Sequence, residues 1–221
     1  MSDETQVDVL QEFERRYLNA IKVGDSEEAD DILREAQDSS VTVDDIYLQI
    51  FQPAAYQIGD LWERKNISVA QEHIASAIIE RHIGEMHSCF SPRRTLDKTV
   101  VLGCVDREYH RIGLRMVADF FERDGWLVYF LGATTPAEAF ASLVKKVKAD
   151  LIGISIDVDY HLPRFMELKM ELDRQELGQT PIMVGGLPFV KKPQLALDMG
   201  AAFSADDACQ AVEKARVYFS L

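Results

Sequence analysis

Glu108-Tyr109-His110-Arg111-Ile112-Gly113 directly follows the apolar run from Val100 to Val105, where a strand would hand over to a helix at the mouth of a parallel sheet. A histidine there is a candidate metal ligand. A metal-bound histidine normally gives its other ring N–H to a carboxylate that fixes the tautomer; Glu108, or less favourably Asp106, is placed to be that carboxylate. A second imidazole stands earlier in the chain, where Trp62 is followed, after nine intervening residues, by the pair Glu72-His73. Two histidines from two segments can face one metal.

These residues need elements to hold them. Val7, Leu10, Phe13, Tyr17 and Ile21 fall close to a helical stripe, and Gly24-Asp25 breaks the chain before the next segment. Helices are expected near 5–23, 26–38, 43–61 and 69–88, with Thr42 and Ser68 as N-caps and Gln71 completing a capping box with Ser68. This puts His73 in the early turns of the fourth helix and Trp62 at the end of the third, so both can share one end of a four-helix bundle. Pro53 is expected to kink the third helix.

Ser91-Pro92-Arg93-Arg94-Thr95 reads as a linker between a helical domain of residues 1–92 and a second domain of residues 97–221. In the second domain strand and helix signals alternate: 99–105 then 109–123, 126–131 then 137–148, 151–155 then 162–177, 182–184 then 193–199, 201–204 then 206–219. Five such units make a doubly wound α/β parallel sheet, whose ligands bind outside the carboxyl ends of the strands. His110, Thr134-Thr135, Ser155 and Gly185-Gly186 all fall at those ends. The glycine pair leaves the backbone open to something flat, and Ser155 offers a hydroxyl in the same cleft or a cap for the next turn.

Composition narrows the partners. With 47% hydrophobic residues among 221, the chain can bury one large core or two modest ones. No apolar run approaches the ~20 residues a membrane span needs, and MSDETQVDVL is acidic rather than a signal peptide, so a cytoplasmic location is expected. Residues 1–92 hold 7 Lys/Arg against 19 Asp/Glu, while residues 93–221 hold 17 against 18. An acidic first half repels phosphate backbones, which argues against direct DNA binding; it serves solubility or docks a basic protein. Cys89, Cys104 and Cys209 form neither a disulfide framework nor a zinc pattern and are expected as small buried hydrophobes.

Other α/β chemistries fail at specific places. A dinucleotide fold wants Gly-x-Gly-x-x-Gly after the first strand, where this chain has Asp106-Arg107-Glu108-Tyr109-His110, and no Walker-type phosphate loop is present. A phosphoacceptor receiver wants an Asp at the end of the first or third strand with a lysine in support; Asp106 and Asp157 leave that alternative open.

With these residues in place, the chain resembles the cobalamin-binding proteins over nearly its whole length. That family pairs a four-helix cap with a Rossmann-like (flavodoxin-like) five-stranded domain; its signature is Asp/Glu-x-His-x-x-Gly after strand one, Ser at the end of strand three and Gly-Gly after strand four. Here these stand as Glu108-x-His110-x-x-Gly113, Ser155 and Gly185-Gly186, and the strand-two end Leu131-Gly132-Ala133-Thr134-Thr135-Pro136 also looks like the family's. The resemblance implies that His110 binds cobalt from below, displacing the dimethylbenzimidazole tail, which threads into the core beside Ser155 and Gly185. Ser155-x-Asp157 departs from the pattern, with an acid where the family usually carries Leu.

Within that family, Glu two residues before the histidine and the spacing Trp62, nine residues, Glu72-His73 are similar to the light-sensing CarH-type branch. Methyl-transfer corrinoid proteins usually carry Asp at the first position. The resemblance implies an adenosylcobalamin cofactor, with Trp62 covering the upper adenosyl group, Glu72 contacting its ribose or orienting the helix, and His73 binding cobalt once light removes that group. No DNA-reading module precedes the cap, so a protein partner or a change in self-association, preferably a homodimer, is expected to carry the output. Some stand-alone cobalamin photoreceptors also hold a bilin, which no obvious chromophore-linking Cys motif decides here. The alternatives are a corrinoid protein carrying methyl groups between methyltransferases and a cobalamin sensor indifferent to light.

Overall fold

A computed structural model describes residues 3–39, 41–90 and 94–221. Of the expected linker, Ser91, Pro92 and Arg93 lie outside the described residues. The chain divides into two compact units, Met1–Phe90 and Ser91–Leu221.

The first unit is helical. It contains α1 (Asp3–Val23), α2 (Ser26–Asp38), a single turn α3 (Val43–Asp45), a π-helical stretch Ile46–Phe51 running into α4 (Gln52–Glu63), and α5 (Val69–His87). Asp25 caps α2, its carboxylate accepting the Glu28 N–H at 3.0 Å. Thr42 and Ser68 both close reciprocal capping boxes, with Asp45 and Gln71 respectively. The helix takes π register ahead of Pro53. Pro53 has no N–H to give the Gln49 carbonyl, and the chain instead widens before it, the Gln52 N–H bonding the Tyr47 carbonyl in π register. This turns Tyr47, Ile50 and Phe51 into a core that also holds Tyr17, Ile21, Ile32, Ile79 and Ile83.

One histidine is buried in that core. His82 Nδ1 accepts from the Tyr17 hydroxyl at 2.8 Å, its Nε2–H donates to Asp30 at 2.8 Å, and the Phe51 ring lies parallel to it at 6.2 Å. Three helices, α1, α2 and α5, are thereby tied by one imidazole.

The second unit alternates β1 (Thr99–Cys104), α6 (Ile112–Arg123), β2 (Leu127–Gly132), α7 (Ala137–Val147), β3 (Leu151–Ser155), α8 (Leu162–Arg174), β4 (Ile182–Gly185), α9 (Leu187–Lys191), α10 (Gln194–Asp198), β5 (Phe203–Ser204) and α11 (Ala208–Phe219). The strands are parallel in the order β2-β1-β3-β4-β5. β1 and β3 are wholly buried, as a sheet covered on both faces requires. Val101, Ile152, Ile154 and Val184 meet Phe140, Phe165 and Phe189 from the helices in one apolar cluster.

Two boundaries differ from expectation and one helix is added. α6 begins at Ile112 rather than near 109, because the loop before it is held by side chains described below. Trp126 precedes β2 and is buried between Phe121 and Phe219, at 5.2 and 5.5 Å. A short helix, α9, fills the segment after β4 that alternation alone left blank. Cys89 is exposed and Cys209 partly so, and only Cys104 fits the expectation of a small buried hydrophobe.

Candidate metal centre

The strand order reverses between β1 and β3, and an open α/β sheet forms its ligand crevice at such a switch point, outside the carboxyl ends of the strands. The register lines up what ends there. Cys104 pairs with Ser155 and Ser155 with Gly185, so the loop carrying His110, the Ser155 hydroxyl and the first glycine of the pair come off three neighbouring strands at one level.

Glu108 organises the loop after β1. Its carboxylate is wholly buried, and Oε1 lies 2.5 Å from Nδ1 of His110 and 3.1 Å from the His110 N–H. Oε2 accepts the backbone N–H groups of Asp157 at 3.0 Å and Val158 at 3.4 Å, and Nδ1 of His161 at 2.9 Å. Burial pushes the Glu108 carboxyl up, but the two imidazoles and the backbone donors outweigh it and bring its pKa down to about 2. An ionised Glu108 has only acceptors, so both rings carry their hydrogen on Nδ1. The His110 Nε2 then carries the lone pair that a metal ligand needs, on a side chain that is 53% exposed.

His161 has no counterpart in the sequence expectations. It ends the short 3-10 turn Asp159–His161 after β3, and it reaches Glu108 across 53 residues. Its proximity to Ser155 was visible, but its contact with a different strand's loop was not. Asp106, the second candidate carboxylate, instead accepts from the Thr134 hydroxyl at 3.4 Å and pairs with Arg107 at 3.8 Å.

Thr134 braces that loop from the end of β2. Its Oγ1 accepts the Arg107 N–H at 2.9 Å, and its own N–H bonds the Glu108 carbonyl at 2.9 Å. Asp157, where an acid departs from the family's usual residue, accepts the Leu187 N–H at 3.1 Å and so fastens the turn after β4 to the end of β3. Burial holds its carboxyl above the usual range against that bond. Burial likewise pushes the Cys104 thiol up to about 12, which makes it an inert wall and not a ligand.

The glycines divide by cause. Gly186 has φ +109°, and a Cβ there would overlap the Ile156 carbonyl, so the backbone itself demands it. A Cβ on Gly113 would meet nothing within 4 Å, and one on Gly185 only the Ala205 carbonyl at 3.4 Å. Packing does not require either to be glycine. Room for a methyl at both, beside a histidine whose tautomer is fixed, suits a large planar metal complex approaching the strand ends.

In the helical unit, Trp62 lies in the last turn of α4 and is 46% exposed. His73 lies in the second turn of α5, its side chain 72% exposed, with Nε2 3.5 Å from Glu72. Glu72 is turned back onto its own helix by the Ser76 hydroxyl at 2.7 Å. The two helices join through a tight corner, in which the Asn66 N–H bonds the Leu61 carbonyl at 2.8 Å, so indole and imidazole flank one end of the bundle.

Comparison with known proteins gives these sites a context. A family model described as B12 binding domain matches residues 98–213, and a second model of the same description matches residues 13–85. The chain is 27% identical over 179 residues to the HTH-type transcriptional repressor CarA of Myxococcus xanthus, covering 80% of this chain but only 60% of the repressor. It is 24% identical over 213 residues to trimethylamine corrinoid protein 1 of Methanosarcina mazei, covering 93% and 96%. In fold it matches the monomethylamine corrinoid protein of Methanosarcina barkeri with a TM-score of 0.84 over 94% of this chain and 99% of that one, at 19% identity.

Proposed function

The chain belongs to the B12 binding domain family, and on that premise we propose that it is an adenosylcobalamin-dependent light sensor signalling through a protein partner or a change in self-association. Cobalamin binding follows from the family; the upper ligand, the response to light and the output are the proposal.

The residues present fit the cofactor. His110, oriented by the ionised Glu108, would hold cobalt from below, and Ser155, Gly185 and Gly113 would border the cofactor where side chains are small or absent. When bound, the cofactor supplies a photolabile cobalt–carbon bond on its upper face. The protein's part is to aim one neutral nitrogen, exclude water from Glu108 and read out what happens above.

The observation that carries the sensing role is the display of Trp62 and His73 at one corner of the helical unit, outside its apolar core. In this proposal Trp62 would pack over the adenosyl group, Glu72 would contact its ribose or orient the helix, and His73 would be a ligand available to cobalt once that group is lost. A neutral imidazole that gains a ligand bond has a reason to move its helix, and that movement is the signal. The output passes to a protein, with a homodimer the preferred form of self-association, because the acidic first unit repels nucleic acid. No bilin is invoked, since a corrinoid absorbs visible light unaided. No helix among the described residues is long and apolar enough to cross a membrane.

A second reading has its own support. The trimethylamine corrinoid protein aligns over almost the full length of both chains, whereas this chain spans 60% of the CarA repressor. In that reading the protein is a methyl carrier for a methyltransferase, and the exposed cap residues greet a partner. Green light on the protein reconstituted with adenosylcobalamin separates the two: a photoproduct that wild type forms and His73→Ala does not supports the sensor, and one photoproduct common to both hands the function to the carrier.

A further inference from the structure

We propose that His161 tunes the lower cobalt ligand through Glu108, drawing part of the carboxylate's charge and making His110 a weaker and more readily released donor. The inference rests on the reading that His110 binds cobalt.

The division of labour on Glu108 supports it. Oε1 serves His110 alone, through its N–H at 3.1 Å and Nδ1 at 2.5 Å, while Oε2 serves Asp157, Val158 and His161. Backbone N–H groups from two loops therefore already pin the carboxylate. His161 is not needed to hold it in place. What the imidazole adds is a second strong claim on one negative charge, in a buried setting where such bonds polarise one another.

A carboxylate on the far nitrogen raises the basicity of a metal-bound histidine. Shared between two N–H donors, it raises each less than it would raise one. The second donor is firmly placed: its side chain is 16% exposed, its N–H bonds the Val158 carbonyl at 2.8 Å, and the Tyr160 ring meets it edge-on at 5.8 Å. His161 therefore acts as a positioning residue for charge, touching neither cobalt nor substrate.

The test uses the full chain loaded with cob(II)alamin, comparing wild type with His161→Phe, His161→Leu and His161→Asn. The nitrogen splitting in the EPR spectrum reports the lower ligand, and the Co(II)/Co(I) midpoint reports how tightly it is held. With an apolar residue at 161, the splitting should persist and His110 should bind at least threefold more tightly, moving the midpoint negative by about 28 mV at 59 mV per tenfold. His161→Asn keeps an N–H donor and should stay at the wild-type midpoint. An unchanged or more positive midpoint in the apolar variants would overturn the tuning role, as would a His161→Asn protein that shifts like them. Should both apolar variants fail to fold, His161 is a structural element and the proposal is wrong. Absence of nitrogen splitting in the wild type would overturn the His110 assignment itself, an outcome distinct from the others.

Discussion

Glu108 Oε1 lies 2.5 Å from Nδ1 of His110, joining a wholly buried carboxylate to a ring that is half exposed. The buried partner sets the tautomer and the exposed partner meets the ligand. Glu108→Gln keeps the shape but turns an amide NH2 toward groups that are all donors. It should cost about 1–3 kcal/mol of stability and about 10- to 100-fold in cobalamin affinity. Thermal unfolding and a spectroscopic cobalamin titration measure the two losses, and unchanged affinity would remove Glu108 from the site.

Gly113 and Gly186 should respond in opposite ways to the same added methyl. Gly186→Ala forces a Cβ onto the Ile156 carbonyl at φ +109°, so it should destabilise the fold by about 2–3 kcal/mol or more. Gly113→Ala enters open space and should leave stability within about 0.5 kcal/mol. It should nevertheless weaken cobalamin binding by about tenfold or more, the loss expected when a methyl intrudes on a packed contact. A Gly113→Ala protein that binds as well as wild type would show that the ligand does not approach there.

The helical unit should lose stability in mild acid through His82. Burial holds the His82 pKa below the ordinary 6.5, against the pull of Asp30. The unfolded chain thus binds a proton that the folded chain resists, and stability present above about pH 6.5 declines as pH falls through the folded pKa. Melting curves between pH 7.5 and 5 should show this decline. His82→Phe should flatten it while lowering stability at pH 7.5 by about 1–3 kcal/mol, since the buried Tyr17 hydroxyl loses its acceptor and Asp30 is left with Arg81. An equal slope in both proteins would assign the acid sensitivity elsewhere.

Much of this architecture could be read from residue order because the deciding contacts are local. Glu108 and His110 share one loop, Ser68 and Gln71 one helical turn, and the alternation of strand and helix signals after residue 97 implies a parallel sheet whatever its strand order. The unread features depend on distance or on backbone. His161 meets Glu108 only because β1 and β3 are neighbours, which no spacing reveals. Pro53 signals a disturbed helix, but the missing N–H does not by itself specify the π register that precedes it. That the backbone at φ +109° itself requires glycine at 186, while a Cβ at Gly113 would meet open space, is a matter of conformation that residue order does not carry.

Light response is the claim on which the functional account turns. The measurement is the absorbance spectrum of the protein reconstituted with adenosylcobalamin in the dark, then illuminated with green light under air, for wild type, His73→Ala and His110→Ala. Wild type should bind base-off through His110 and convert to a stable photoproduct with histidine on both faces of cobalt. His73→Ala should bind equally well in the dark yet fail to form that product, and His110→Ala should bind poorly or keep the cofactor's own base on cobalt. A wild-type spectrum indifferent to light, or one photoproduct common to wild type and His73→Ala, would contradict the sensor and leave the methyl carrier standing.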